Sequence, residues 1–164
     1  MQKGAHFSER GQYRYQLWRI WDESRKVAMC VGLNPSTANA EKDDPTIRLL
    51  ISTLKYLGYG GLRMVNLYGL ITPKPKILFS HPDPVGANQT YIAAAALACQ
   101  EIIFCWGNFK GIEYRAKKMA DMFPDAMCFG KNKNGTPWHP LAMMYAGVKI
   151  EDVKLIFYKN PATK

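Results

Sequence analysis

An α/β fold with a mostly parallel sheet and helices on both faces is what this sequence predicts. Two observations carry the prediction. Short apolar runs of strand composition alternate with longer segments of helical period after a first hairpin, which is the pattern of βαβ units with right-handed crossovers. Each strand candidate also runs into a stretch rich in turn-forming and polar residues: "GLNPSTA", "VNLYGLIT", "CWGNF" and "GTPWHPLA". Open α/β sheets bind ligands outside the carboxyl ends of their strands, so these four stretches are expected to converge on one cleft. At 164 residues, 48% of them hydrophobic, the chain reads as one globular domain over 1–164.

The elements follow in order. "QYRYQLWRIW" is aromatic, β-branched and alternating, so it reads as a strand. "DESR" is a turn, and "KVAMCVGL" is a buried strand that closes the hairpin. "DDPTIRLLISTLKYLG" carries helix-start signals, with Asp44 to cap, Pro45 for the first turn and Gly58 to terminate. Its Ile47, Leu50, Ile51 and Leu54 form one apolar stripe. "GLRMVNLY" is a third strand, followed by a long loop with four prolines, "GLITPKPKILFSHPDPVG"; loops of that length are often functional. "ANQTYIAAAALAC" is a helix, "EIIFCWG" a buried strand, "FKGIEYRAKKMADMF" a helix and "DAMCFG" a strand. "KNKNGTPWHPLAMMYAG" reads as a loop and "KLIFY" as a final short strand.

Composition limits the function. The net charge of +9, from 22 basic and 13 acidic residues, suits a polyanionic partner such as nucleic acid, and equally a generally basic protein. Cys30, Cys99, Cys105 and Cys128 form no CxxC pair and lie in or beside apolar segments, so they read as buried free thiols. Three scattered histidines make no metal motif, and neither a metal nor a cofactor is expected. No window approaches the roughly 18 apolar residues of a membrane span. "MQKGAHFSERGQYRY" has no apolar signal region, so a cytoplasmic location is expected.

The candidate site residues come from the strand ends. Asn34 offers an amide that can hold a water or a polar ligand, or bond the turn locally. Pro35 biases Asn34 toward extended backbone and makes a rigid shelf on the cleft floor. Asn66 can pair with a donor–acceptor edge such as the imide edge of a pyrimidine, or be satisfied by backbone; Tyr68 follows it. His139 can donate to a carbonyl oxygen that gains negative charge. Asp43 and Asp44 are an acidic pair of which one caps a helix and the other can orient a water or bind a basic group. Lys131 and Lys133 can contact phosphates, or form a solvated turn.

Together "GLNPSTA", "DPTIR", "VNLY", "WG" and "GTPWHPL", spanning Val31 to Leu141, resemble the DUF1643 family of small bacterial and phage proteins, a domain of unknown function. Their order is also similar to that of the uracil-DNA glycosylase superfamily. Gly32 to Pro35 match its first motif, Asn66 its base-recognising Asn, "IIFCWG" its apolar strand and His139-Pro140 its late His-Pro. That resemblance implies a three-layer α/β/α sandwich with a nucleobase pocket, Asn34 and His139 as catalytic residues, and Asn66, Tyr68 and Pro35 as base-binding ones. The first motif has Asn34 where the most active branch has Asp, as in the mismatch-specific branch, and the late motif reads His-Pro-Leu-Ala rather than His-Pro-Ser-Pro.

The expected function is therefore a DNA glycosylase-like protein that hydrolyses the N-glycosidic bond of a flipped pyrimidine or modified base. The alternative is a non-catalytic module binding nucleic acid, a modified base or a nucleotide, in a phage or host-defence setting. In the first reading Leu141, Met143 and Met144, directly after His139-Pro140, are candidates for an apolar wedge that unstacks bases.

Overall fold

Near-continuous apolar runs become the centre of the sheet because strands covered on both faces bury every side chain. β3 (Val27–Gly32) is the clearest case: Ala28 and Cys30 join one core cluster, Met29 and Val31 the other. The structure is a computed structural model that describes residues 1–159.

The remaining strands are β1 (Gln2–Phe7), β2 (Arg14–Ile20), β4 (Gly61–Asn66), β5 (Glu101–Phe104), β6 (Met127–Cys128) and β7 (Ile156–Phe157). They form one sheet in the order β1-β2-β4-β3-β5-β6-β7. β4, β3, β5 and β6 are mutually parallel, whereas β1–β2, β2–β4 and β6–β7 pair antiparallel. The sheet is thus mixed: the expected parallel pairing holds at its centre, and both margins are antiparallel.

The helices are α1 (Pro45–Tyr56), α2 (Asn88–Leu97), α3 (Glu113–Met122) and α4 (Pro140–Tyr145). α1 buries Ile47, Leu50, Ile51 and Leu54 against Leu17, Cys30, Leu62 and Ile103, and Met143 of α4 joins that cluster. On the other face Ile92 and Ala95 of α2 and Met119 and Ala120 of α3 pack on Val31, Val65 and Phe104. Asp44 caps α1 by accepting from the Ile47 N–H at 2.9 Å, and Pro45 opens its first turn. All four cysteines are free; Cys99 is half-buried and the others buried. Among the described residues no helix is long and apolar enough to cross a membrane.

Three expectations change. The first hairpin is β1–β2, not β2–β3, because β4 inserts between them. β1 gives little sequence signal, since as an edge strand it buries only Gly4 fully. The stretch after "KNKNG" is not all loop: it contains α4, which begins at Pro140 with His139 as its cap.

One buried charge ties the margin of the sheet to the segment before α1. The Arg19 side chain of β2 is wholly enclosed; its Nε donates to Asp43 Oδ1 at 2.8 Å, Nη1 to the Trp18 carbonyl at 2.9 Å and Nη2 to the Asn39 carbonyl at 2.6 Å. A buried ion is tolerated when it is paired and its donors are satisfied. Asp43→Ala leaves that charge without its carboxylate. The expected loss is about 3 kcal/mol, the low end for a broken buried pair, read as a lower urea midpoint with unchanged slope; an unchanged midpoint would contradict the account.

Candidate functional site

The carboxyl ends of β3, β4 and β5 enclose a cavity of about 460 Å³, within the roughly 300–1,000 Å³ of small-molecule sites. β3 contributes Gly32 and runs on to Asn34. β4 contributes Met64 and Asn66, and the turn after β5 contributes Trp106 to Phe109. α1 brings Asp44, α4 brings His139, Leu141 and Tyr145, and Arg14 enters from the start of β2. Thr72, Pro73 and Pro75 of the proline-rich loop close one wall.

Asn66 is 2% exposed, and its Nδ2 has no hydrogen-bond partner among the described residues. Its backbone is held from two helices. The enclosed Asn88 of α2 donates to the Asn66 carbonyl at 2.6 Å, and Arg115 of α3 donates to the Leu67 carbonyl at 3.0 and 2.8 Å. Gly32 makes the side-chain placement possible: a Cβ there would lie 2.7 Å from Asn66 Oδ1 and 2.6 Å from the Met64 methyl. An unpaired buried amide is costly unless a ligand satisfies it.

His139 is fixed in one tautomer. Its Nδ1 accepts from the Leu141 N–H at 3.1 Å, so the neutral ring carries its proton on Nε2. Burial pushes its pKa below the usual 6.5, with Asp44 pulling more weakly the other way. The ring sits against Gly107, whose φ of +84° favours glycine and where a Cβ would approach His139 Cβ to 3.2 Å. The imidazole is therefore a neutral donor at neutral pH.

Asn34 donates through Nδ2 to the Thr72 carbonyl at 2.8 Å and the Pro35 carbonyl at 3.0 Å, which leaves Oδ1 without a partner among the described residues. Asp44 is the one carboxylate that lines the cavity among those residues, and its Oδ1 also caps α1. Trp106 lines the cavity as well, and its buried indole N–H is unpartnered.

The cavity thus gathers Asn34, Asn66, His139, Asp44 and Leu141. Other candidates lie elsewhere. Pro35 is buried outside the lining, its carbonyl engaged by the Thr72 N–H and Asn34. Tyr68 points into the opposite core cluster, because β4 ends at Asn66 and the chain turns there, breaking the alternation that would have kept the two on one face. Asp43 is committed to Arg19. Lys131 and Lys133 are exposed away from the cavity, and the Lys131 ammonium donates to the Tyr158 carbonyl at 3.1 Å. Of the wedge candidates, Met143 is core, Met144 is exposed but outside the lining, and Leu141 is half-buried in the wall. Arg14, Trp106, Phe109 and Tyr145 were not predicted as site residues. "CWGNF" flagged two of them as strand-end neighbours, whereas nothing in the alternation of "QYRYQLWRIW" singles out Arg14.

Fold and cavity define an α/β protein with a cavity at the carboxyl ends of its parallel strands. The model of the family described as "Protein of unknown function (DUF1643)" matches residues 14–141, most of the chain, and this chain belongs to that family. No curated protein and no solved structure matches it.

Two outcomes are expected. Nitrogen-detected NMR should find His139 protonated on Nε2 at pH 7 and titrating below 6.5. Because the folded pKa is the depressed one, the unfolded chain binds the extra proton, so stability is unaffected above that pH and falls as pH drops below it. His139→Gln should remove this increment of acid sensitivity. Gly32→Ala should displace Asn66 or Met64 and weaken any cavity ligand at least tenfold with the fold retained, checked by titration and circular dichroism.

Proposed function

We propose that this protein recognises a nucleobase in the cavity and hydrolyses the N-glycosidic bond that carries it, as a DNA glycosylase-like enzyme. The observation that supports this most is the set of unsatisfied groups at one site: Asn66 Nδ2 at the end of β4, His139 Nε2–H at the cap of α4 and Asn34 Oδ1 just after β3. They suit a planar ring with alternating donors and acceptors. The resemblance of Gly32 to Pro35, Asn66 and His139-Pro140 to the uracil-DNA glycosylase superfamily supports the same reading, as does the presence of helices on both faces of the sheet, the arrangement of that superfamily's three-layer sandwich.

The chemistry follows from the groups. As the bond from the sugar C1′ to the base nitrogen breaks, its electron pair stays with the base and charge builds on a ring carbonyl oxygen. His139 Nε2–H donates to that oxygen, and a fixed neutral donor stabilises charge without reorganising. Asn34 Oδ1 holds the water that adds to C1′. Asp44 takes the water's proton, which a neutral amide cannot do, and the departing base recovers it. Asn66 reads the polar edge of the base. The partner is DNA, with a free nucleotide as the other source of the same ring.

A second reading, binding without cleavage, is favoured by one observation: the Asn34 nitrogen and one Asp44 oxygen are already committed to the protein's own backbone. The discriminating assay presents duplex and single-stranded oligonucleotides carrying uracil, 5-hydroxymethyluracil and other modified pyrimidines. Abasic product, reduced about 10²–10³-fold by His139→Ala as for loss of a charge-stabilising donor, supports the enzyme. Tight binding without product supports the module, and neither product nor binding overturns both.

A further inference from the structure

Arg14 is a cation inside the cavity with no carboxylate paired to it. It is 3% exposed, and its Nη1 donates to the Ala38 carbonyl at 2.9 Å. Its Nε is buried without a partner, Nη2 makes no hydrogen bond among the described residues, and none of their ion pairs includes it. Asp44 acts on it only through space, its Oδ1 being given to the α1 cap. Burial lowers the Arg14 pKa to about 10, so the group stays charged at neutral pH. A buried guanidinium held this way has a net need for an anion.

The backbone directs Arg14 there. Leu17 and Arg19 face α1, so strict alternation would send Tyr15 to that side and Arg14 to the other. The register breaks instead: His6 pairs with Gln16 while the next residue, Phe7, pairs with Arg14. Two positions on β2 are passed for one on β1, a bulge that inverts the facing of everything before it. Tyr15 consequently stacks on Tyr91 of α2, ring centroids 4.7 Å apart, and Arg14 turns into the cavity wall. The unused Nε–Nη2 edge is the side-on face with which arginine holds two oxygens at once.

We propose that the cavity takes a ligand bearing a phosphate bound side-on by Arg14, which makes the substrate class a nucleotide rather than a nucleoside or free base. The proposal rests on the nucleobase reading for the rest of the ligand. The phosphate comes either from a free 5′-monophosphate or from a strand, and its recognition chemistry is the same.

Calorimetric titration tests this with deoxyuridine, thymidine, deoxycytidine and 5-hydroxymethyldeoxyuridine, their 5′-monophosphates, a single-stranded oligonucleotide, and inorganic phosphate followed by thermal shift. At least one monophosphate, or the oligonucleotide, should bind tenfold or more tighter than the matching nucleoside. Arg14→Met should abolish that gain and Arg14→Lys should keep part of it. Phosphate alone should protect the wild-type protein and not Arg14→Met. An Arg14-dependent gain confined to the oligonucleotide assigns the phosphate to a strand. Equal affinity for nucleoside and monophosphate overturns the phosphate site and leaves base recognition standing. Arg14-dependent phosphate binding with no preference among bases does the reverse, and binding of none of the probes overturns both. Should Arg14→Met fail to fold, the wild-type comparison and Arg14→Lys still decide.

Discussion

The Arg19 guanidinium, sealed inside the protein, is the constraint on which the site geometry rests. It reaches from β2 to the Asn39 and Lys42 carbonyls and to Asp43, and five residues earlier on the same strand Arg14 reaches the Ala38 carbonyl. Two arginines of one strand thus staple the segment between Ala38 and Asp43, which has no regular structure of its own. Asn39 tightens it by accepting from the Glu41 and Lys42 N–H groups. Asp44 follows at once, so the cavity's carboxylate is placed by charges on a strand at the other margin of the sheet. Hydrophobic burial, which is non-directional, packs the two faces but does not aim this segment.

The glycines of the strand ends interlock the site's parts. Gly32 of β3 leaves room for Asn66 of β4, and Gly107 after β5 leaves room for His139 of α4. Each segment supplies the gap into which another segment's polar side chain fits. This explains physically why the pieces "GLNPSTA", "VNLY", "WG" and "GTPWHPL" mean little singly and more in combination.

Much of this was legible from the residues because it depends on local signals. Asp44 and Pro45 announce α1, and the apolar runs of β3, β4 and β5 announce the parallel centre. Asn34 and Asn66 lie in one cavity because topology brings such strand ends together, and His139 joins them as the cap of α4, set against Gly107. What escaped depends on pairing. The place of β4 between β2 and β3 is a nonlocal choice. β1 shows no alternation strong enough to read. α4 is a short helix inside a stretch punctuated by prolines and glycine. Asp43 and Asp44 differ in role only because Arg19 claims the first, and Tyr68 parts from Asn66 because two residues beyond a strand end the chain has already turned to the opposite core.

The bulge at Tyr15 also says something about how well such a cavity tolerates a change of chain length. β2 carries one residue more there than β1 requires. Loss of the Tyr15 codon would restore plain alternation and remove the stack on Tyr91, yet leave Arg14 opposite Phe7 and facing the cavity, while the pairing with β4 through Leu17 to Ile20 stayed in place. The bulge therefore absorbs a change of chain length on the α2 side of the strand, and the guanidinium in the cavity wall does not depend on it.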